Sequence, residues 1–344
     1  MRRYRLRAGL TQREVAGRTK LSVRALRDIE QGRVHSPQAR SVARLTCALG
    51  LSEPEHDAVR AALRSRLAGQ LDPGPLRIGV LGPLSVCHGD VPVEIQSVMQ
   101  RCLLGLLAAQ PGQVASHDEI VDALWGENPP RTCRKLVYVY IGRLRGRLEP
   151  ERSLNAPCRV LRRRRNGYEL AVDADQLDLA RFDTLVARAS VAQASGNTTV
   201  ALDLLTRALR CWRGPALVDA NERLRCHPAV VNASQRRLSA ILTHADLAMA
   251  LGHYAQAVAH LRPAVHGEPL HEALTARLML GLAGCGEQAA ALDLFTTLRT
   301  RLTEDLGIGP SAELRTAHVR VLRQQLQPVG FENSVWATPP ANTR

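Results

Sequence analysis

A recurrence in the second half of the chain limits the possible folds more than anything else in the sequence. Gly252 and Gly286 lie 34 residues apart, and each stands five residues before an alanine, Ala257 and Ala291. That period is the length of one helix–turn–helix unit, which cannot bury its apolar side alone and so stacks on its neighbours. Gly196 and Ala201 repeat the spacing 56 residues ahead of Gly252, so roughly 22 residues are inserted, around Gly214–Asn232. Small residues at these positions let paired helices pack closely, and helical periodicity runs over residues 178–326. Trp212 and Phe295 are expected in the core of this half.

The rest of the 344 residues leaves room for one or two further domains. Apolar residues make up 45%, enough to build cores, while aromatics are only 3%, which argues against stacking successive bases of a single strand on rings. No apolar run approaches the roughly 18–20 residues of a membrane span. The eight cysteines are scattered without a CxxC pair, the pattern of reduced thiols in a cytoplasmic protein. Gly69–Pro75 is rich in turn residues and separates a helical start from the strand-like Leu76–Gly82. From Gln327 onward periodicity is lost, and a disordered tail is expected.

Charge supplies the functional clue. The chain holds 46 Lys and Arg against 32 Asp and Glu, a formal net of +14, and only Lys20 and Lys135 are lysines. Residues 1–70 carry 15 basic against 6 acidic residues, and residues 131–168 carry 12 against 2. Two basic islands in an otherwise slightly acidic chain point to a polyanionic partner.

In the first island Thr11 and Glu14 have capping-box spacing, and Ser22 can cap a second short helix, Val23–Gln31, ended by Gly32. Ala25, Leu26 and Ile29 face a core in this reading, with Val23, Arg24, Arg27 and Asp28 more exposed. Two short helices joined tightly form a helix-turn-helix layout. Gly9-Leu-Thr-Gln12, Leu21–Gly32, Pro37 and Ala48-Leu-Gly-Leu51 resemble the Cro/repressor (Xre) type of this motif. The resemblance implies a phosphate contact at Gln12 and groove-reading positions at Ser22, Val23, Arg24 and Arg27.

The second island begins after short extended runs in Leu76–Ile95 and helices over Val98–Ala109 and His117–Trp125. In a third helix, Arg131–Leu148, the residues Leu136, Val137, Tyr140, Ile141, Leu144 and Leu148 fall within an arc of about 140°. Arg131, Arg134, Lys135, Tyr138, Gly142 and Arg145 lie opposite. Such a helix docks on a core by one side and offers cations on the other. A basic hairpin follows, Cys158–Leu170, with a turn expected at Asn166-Gly167. A basic helix followed by a basic hairpin is a winged-helix arrangement. The candidate DNA contacts are Arg131, Thr132, Arg134, Lys135, Tyr138, Arg143 and Arg145 on the helix and Arg162, Arg163, Arg164 and Arg165 on the wing. Trp125 and Tyr168 are expected as framework residues.

Gly82-Pro-Leu-Ser-Val86, Gln100-Arg101, Leu124–Pro130, Val139–Arg145 and Asn166–Leu170 are together similar to the Streptomyces antibiotic regulatory protein family. So are Leu179-Ala-Arg-Phe182, Ala208–Gly214, Leu278–Leu282 and Leu302–Pro310 in the helical half. The resemblance implies a mainly α chain: an N-terminal helix-turn-helix over residues 1–68 and a linker over 69–75. An OmpR-type winged helix (76–175, α+β), a tetratricopeptide-like bacterial transcriptional activation domain (176–326) and the tail (327–344) follow. It also implies binding to direct repeats in promoter DNA, recruitment of RNA polymerase at biosynthetic clusters and oligomerisation on DNA. No GxxxxGK[ST] phosphate loop, metal-ligand spacing or nucleophile constellation is found, so neither enzyme activity nor a cofactor is expected. His253 and His260, seven residues apart, lack a further ligand at useful spacing. The alternatives are a protein-interaction scaffold or a ligand-sensing repressor. The scaffold gains if the cationic helix face and the wing face apart.

Overall fold

A computed structural model describes residues 2–19, 21–30, 39–51, 74–150 and 158–325, and it divides into two units, Met1–Gly74 and Pro75–Arg344. In the first unit lie α1 (Arg2–Arg7), α2 (Gln12–Thr19), α3 (Val23–Glu30) and α4 (Ala39–Ala48). The Thr11–Glu14 box forms: the Glu14 N–H donates to Thr11 Oγ1 at 3.3 Å and the Thr11 N–H to Glu14 Oε2 at 2.6 Å. Two amides that a helix start leaves open are thereby satisfied. Ser22 Oγ accepts from the Ala25 N–H at 3.1 Å and starts α3. Val15, Ala16, Leu26, Leu45 and Leu49 make the core, and Val23 packs half-buried against it rather than standing in water. Gly32, Pro37, residues 69–73 of the linker, the tail from 327 and the side chains of Asp28 and Ile29 lie outside the described residues.

The second unit opens with an antiparallel meander of β1 (Leu76–Gly79), β2 (Ser85–His88) and β3 (Val91–Pro92). Next come α5 (Val98–Ala109), β4 (Val114–Ser116), α6 (His117–Trp125), α7 (Cys133–Leu148), β5 (Leu161–Arg164) and β6 (Gly167–Leu170). The second sheet has the order β4-β6-β5 and is antiparallel throughout. The wing turn therefore sits at Arg165-Asn166, one residue earlier than the Asn-Gly signal suggests. Gly167 is the first residue of β6, paired with both Arg164 and Ser116. A side chain there would collide with the Ala115 carbonyl, so glycine serves close strand approach rather than the turn.

The helical half contains α8 (Asp178–Ala194), α9 (Thr198–Leu209), α10 (Glu222–Arg225), α11 (Pro228–Ala250), α12 (Tyr254–Gly267), α13 (Glu272–Gly284), α14 (Gln288–Leu306) and α15 (Ala312–Leu322). The repeat spacing has a direct structural cause. Gly196, Gly252 and Gly286 take left-handed φ values of 77°, 75° and 87° in the turns that join α8–α9, α11–α12 and α13–α14. Five residues on, Ala201, Ala257 and Ala291 are each fully buried where paired helices touch. Positive φ favours glycine, and close helix contact favours a methyl group.

The inserted segment latches the helical half to the winged helix. The Arg213 N–H donates to the Leu81 carbonyl at 2.7 Å and the Leu217 N–H to the Gly82 carbonyl at 2.8 Å. The Leu84 N–H donates to Asp219 Oδ1 at 2.9 Å, and Asn221 Nδ2 donates to the Ala123 carbonyl at 3.1 Å. Leu217 and Leu224 press on α5 at Gly105. At the head of α8, Asp178 accepts the Val80 and Leu81 N–H groups at 2.8 and 3.0 Å. One continuous apolar core consequently runs from Leu76 to Val321. Trp212 and Phe182 meet edge to face in it at 5.6 Å, and Phe295 stacks on His318.

Candidate nucleic-acid interface

Helices α6 and α7, joined through residues 126–132, form a helix-turn-helix whose second helix docks by Val137, Ile141, Leu144 and Leu148, all buried. Ser116 starts α6 with a complete capping box to Glu119. Tyr140 is half-buried and stacks on Trp125 at 6.4 Å, a framework contact. Arg134, Lys135, Tyr138, Gly142 and Arg143 are exposed on the other side of α7, and Arg131 and Thr132 are exposed just before it. Thr132 occupies the helix N-cap without a side-chain cap bond. Arg134 approaches Asp118 at 3.7 Å, but both side chains are mostly in water, where such a pair contributes little. Arg131, Lys135 and Arg143 have no carboxylate partner among the described residues.

Arg145 is placed differently from the other cations of the helix. It is half-buried, and its Nε and Nη2 both donate to the Leu161 carbonyl, at 3.0 and 2.9 Å. Its guanidinium also lies 5.9 Å from the ring centre of buried Tyr168. Arg145 thus fastens the wing to α7.

Wing arginines 162–165 are all exposed. Arg162 donates to the Arg159 carbonyl at 3.0 Å, and Arg164 pairs with Glu169, whose hydrogen bond and then charge push the guanidinium pKa further up. Arg165 has no carboxylate partner among the described residues. Arg163 lies over the ring of Tyr138 at 5.5 Å. That contact joins the wing to the exposed face of α7, because Tyr138 is 45% exposed on that face. Beneath it, His117 contacts Tyr138 at 5.9 Å and Tyr168 at 5.5 Å. Tyr168 is 1% exposed and acts as framework; burial pushes its hydroxyl pKa up. The supporting His117 is a residue the sequence pattern did not single out.

In the first unit Arg24 and Arg27 are exposed on α3. Gln12 is engaged internally: its Nε2 donates to Glu30 Oε2 at 2.7 Å, while Arg5 Nε donates to Glu30 Oε1 at 2.7 Å. Burial pushes the Glu30 carboxyl up, but the hydrogen bonds from Arg5 and Gln12 and the Arg5 charge outweigh it and hold it below the ordinary value. Ser22 carries the α3 cap.

A helix-turn-helix with a wing, fused through a shared core to stacked helical pairs, is the architecture of a transcriptional regulator. Comparison with known proteins agrees. Residues 177–322 match the bacterial transcriptional activator domain, residues 96–170 the C-terminal domain of transcriptional regulatory proteins, and residues 1–59 a helix-turn-helix domain. The transcriptional regulator RedD of Streptomyces coelicolor is 34% identical over 273 residues, 78% of this chain and 77% of RedD. DnrI of Streptomyces peucetius is 32% identical over 251 residues, 72% of this chain and 92% of DnrI. The chain spans only 25% of the Streptomyces coelicolor regulator AfsR, at 34% identity. Among solved structures, Mycobacterium tuberculosis EmbR, determined with a low-affinity phosphopeptide, superposes with a TM-score of 0.61 at 31% identity, covering 74% of this chain and 66% of that one. The chain belongs to the Streptomyces antibiotic regulatory protein family and carries an additional N-terminal helix-turn-helix of the Cro/repressor type.

Proposed function

We propose that the protein is a sequence-specific activator that binds direct repeats in promoters of an antibiotic or other secondary-metabolite cluster and recruits RNA polymerase. The observation that carries this reading is the Arg163–Tyr138 contact, which joins the open cations of α7 and the wing into one surface. A scaffold with incidental basic patches has no need of that continuity. Arg131, Arg134, Lys135 and Arg143 supply base-edge contacts in the major groove, with Thr132 and Tyr138 beside them. Arg162, Arg163, Arg164 and Arg165 engage the backbone or minor groove. Arg24 and Arg27, exposed on α3, form a second, weaker DNA contact, while Gln12, Ser22 and Val23 serve the fold of that unit through Glu30, the α3 cap and the core.

The proposed role calls for no catalytic step, cofactor or metal, and it places the protein in the cytoplasm on nucleoid DNA, as an oligomer when repeats are occupied. No described helix is long and apolar enough to cross a membrane. Footprinting the full chain on the promoters of its neighbouring genes tests the reading. Protection of spaced direct repeats is expected, and Arg134→Ala with Lys135→Ala should relax the choice of sequence. Absence of any duplex binding at low salt would overturn it.

A further inference from the structure

Apart from the α7–wing face, arginines converge at the joint between the winged helix and the helical half. A cleft of about 470 Å³ opens there between the β1–β2 edge, the head of α8 and the end of α9. Arg77, Arg181, Arg207, Arg210 and Arg213 line it. Two carboxylates, Asp175 and Asp178, oppose these five guanidinium groups, which leaves a net charge of +3. Asp178 is already engaged, accepting two backbone N–H groups and an Arg213 Nη2 contact at 3.4 Å. Arg77 turns to the exposed Asp90, and Arg207 reaches Asp203 only at 3.8 Å, also in water. Arg181 and Arg210 have no carboxylate partner among the described residues. Concentrating like charges costs free energy unless an anion shares the space.

We propose that this cleft binds a compact oligophosphate, the di- or triphosphate group of a small molecule, across the joint. The volume lies in the range of small-ligand sites, roughly 300–1,000 Å³. Guanidinium forks match phosphate oxygens two at a time. No aromatic ring lines the cleft, so recognition falls on the phosphates rather than on a stacked base. The cleft is built from residues 77–87, 175–181 and 207–213 and none of α7 or the wing, so it does not depend on the proposed DNA face. A bound anion would draw β1, α8 and the latch residue Arg213 together, coupling ligand to the joint between the two halves.

Inorganic triphosphate titrated calorimetrically into the full chain at constant ionic strength tests the proposal. One saturable site is expected, with affinity about tenfold or more weaker in Arg181→Ala with Arg210→Ala. The wing variant R162A/R163A/R165A should stay within about twofold of the parent. Arg181→Gln with Arg210→Gln, checked for unchanged helical circular dichroism, guards against loss of folding. Heats reproduced by sulfate at equal ionic strength, or weakening by the wing variant instead, would overturn the site. So would loss of duplex affinity in the Arg181/Arg210 variant, which would make the cleft a DNA-backbone contact.

Discussion

Arginine does opposite work at two places in the second unit, the helix contacts around Arg236 and Arg277 and the face made by α7 and the wing. In the helical half it joins helices: Arg277 bridges Asp246 on α11 and Glu313 on α15, and Arg236 pairs with Asp183 across α11 and α8. At the head of α7, along it and on the wing, Arg131, Arg143 and Arg165 stand in water without carboxylates among the described residues, and Arg134 meets only a distant, exposed one. The residue type is the same, and the difference is whether a carboxylate has been placed within reach. Neutralised arginines hold structure; unneutralised ones remain available to a polyanion. Arg145 marks the border, because it lies on the cationic helix yet serves the fold through the Leu161 carbonyl.

The contrast breaks first where its largest effect is expected. Replacing Arg134, Lys135, Arg162, Arg163 and Arg165 together with Ala should lower affinity for target DNA by about 10³-fold or more, since each base contact alone is worth about 1–3 kcal/mol. Thermal stability should change little in the same variant. A folded protein with normal binding would erase the distinction between the two places.

Next in size is an acid sensitivity of the helical half. Burial, and secondarily the neighbouring His260, lowers the pKa of His244 to about 4. In the unfolded chain the imidazole takes its proton near pH 6.5. Stability should therefore fall as the pH drops from about 6.5 to 4 and level off below, by up to about 3 kcal/mol. Urea unfolding at a series of pH values measures this, and His244→Gln should flatten the profile; an unchanged slope in that variant would assign the sensitivity elsewhere.

Arg277→Ala should cost about 1–3 kcal/mol, allowing for partly exposed partners, and leave DNA affinity intact. Reduced DNA affinity at normal stability would show that the two roles overlap. At the small end, Arg262→Ala removes an exposed pair with Glu287 at 3.5 Å and should shift stability by less than about 0.5 kcal/mol.

Features with a local cause could be read from the sequence. The glycine–alanine spacing is legible because a left-handed turn and a close helix contact each select one residue type. Helices Val98–Ala109 and His117–Trp125 have the bounds that their apolar patterns predict. The wing turn is displaced by one residue because β4, only three residues long, shows no alternation of its own, and Gly167 answers to that hidden neighbour. A helical wheel puts Arg145 with the exposed cations but cannot show that the chain returns at Leu161 to accept its hydrogen bonds. The latch was illegible for a related reason. Asp178 and Asp219 meet partners 97 to 135 residues away, and no local pattern encodes such a pairing.

The most direct test of the central claim, that the open arginines of α7 and the wing are a DNA surface, is the salt dependence of promoter binding by the full chain. A log–log slope near −5 is expected for about six neutralised phosphates. In R162A/R163A/R165A it should fall to roughly −2.7, at about 0.9 per lost contact. A slope unchanged by that substitution would contradict the account.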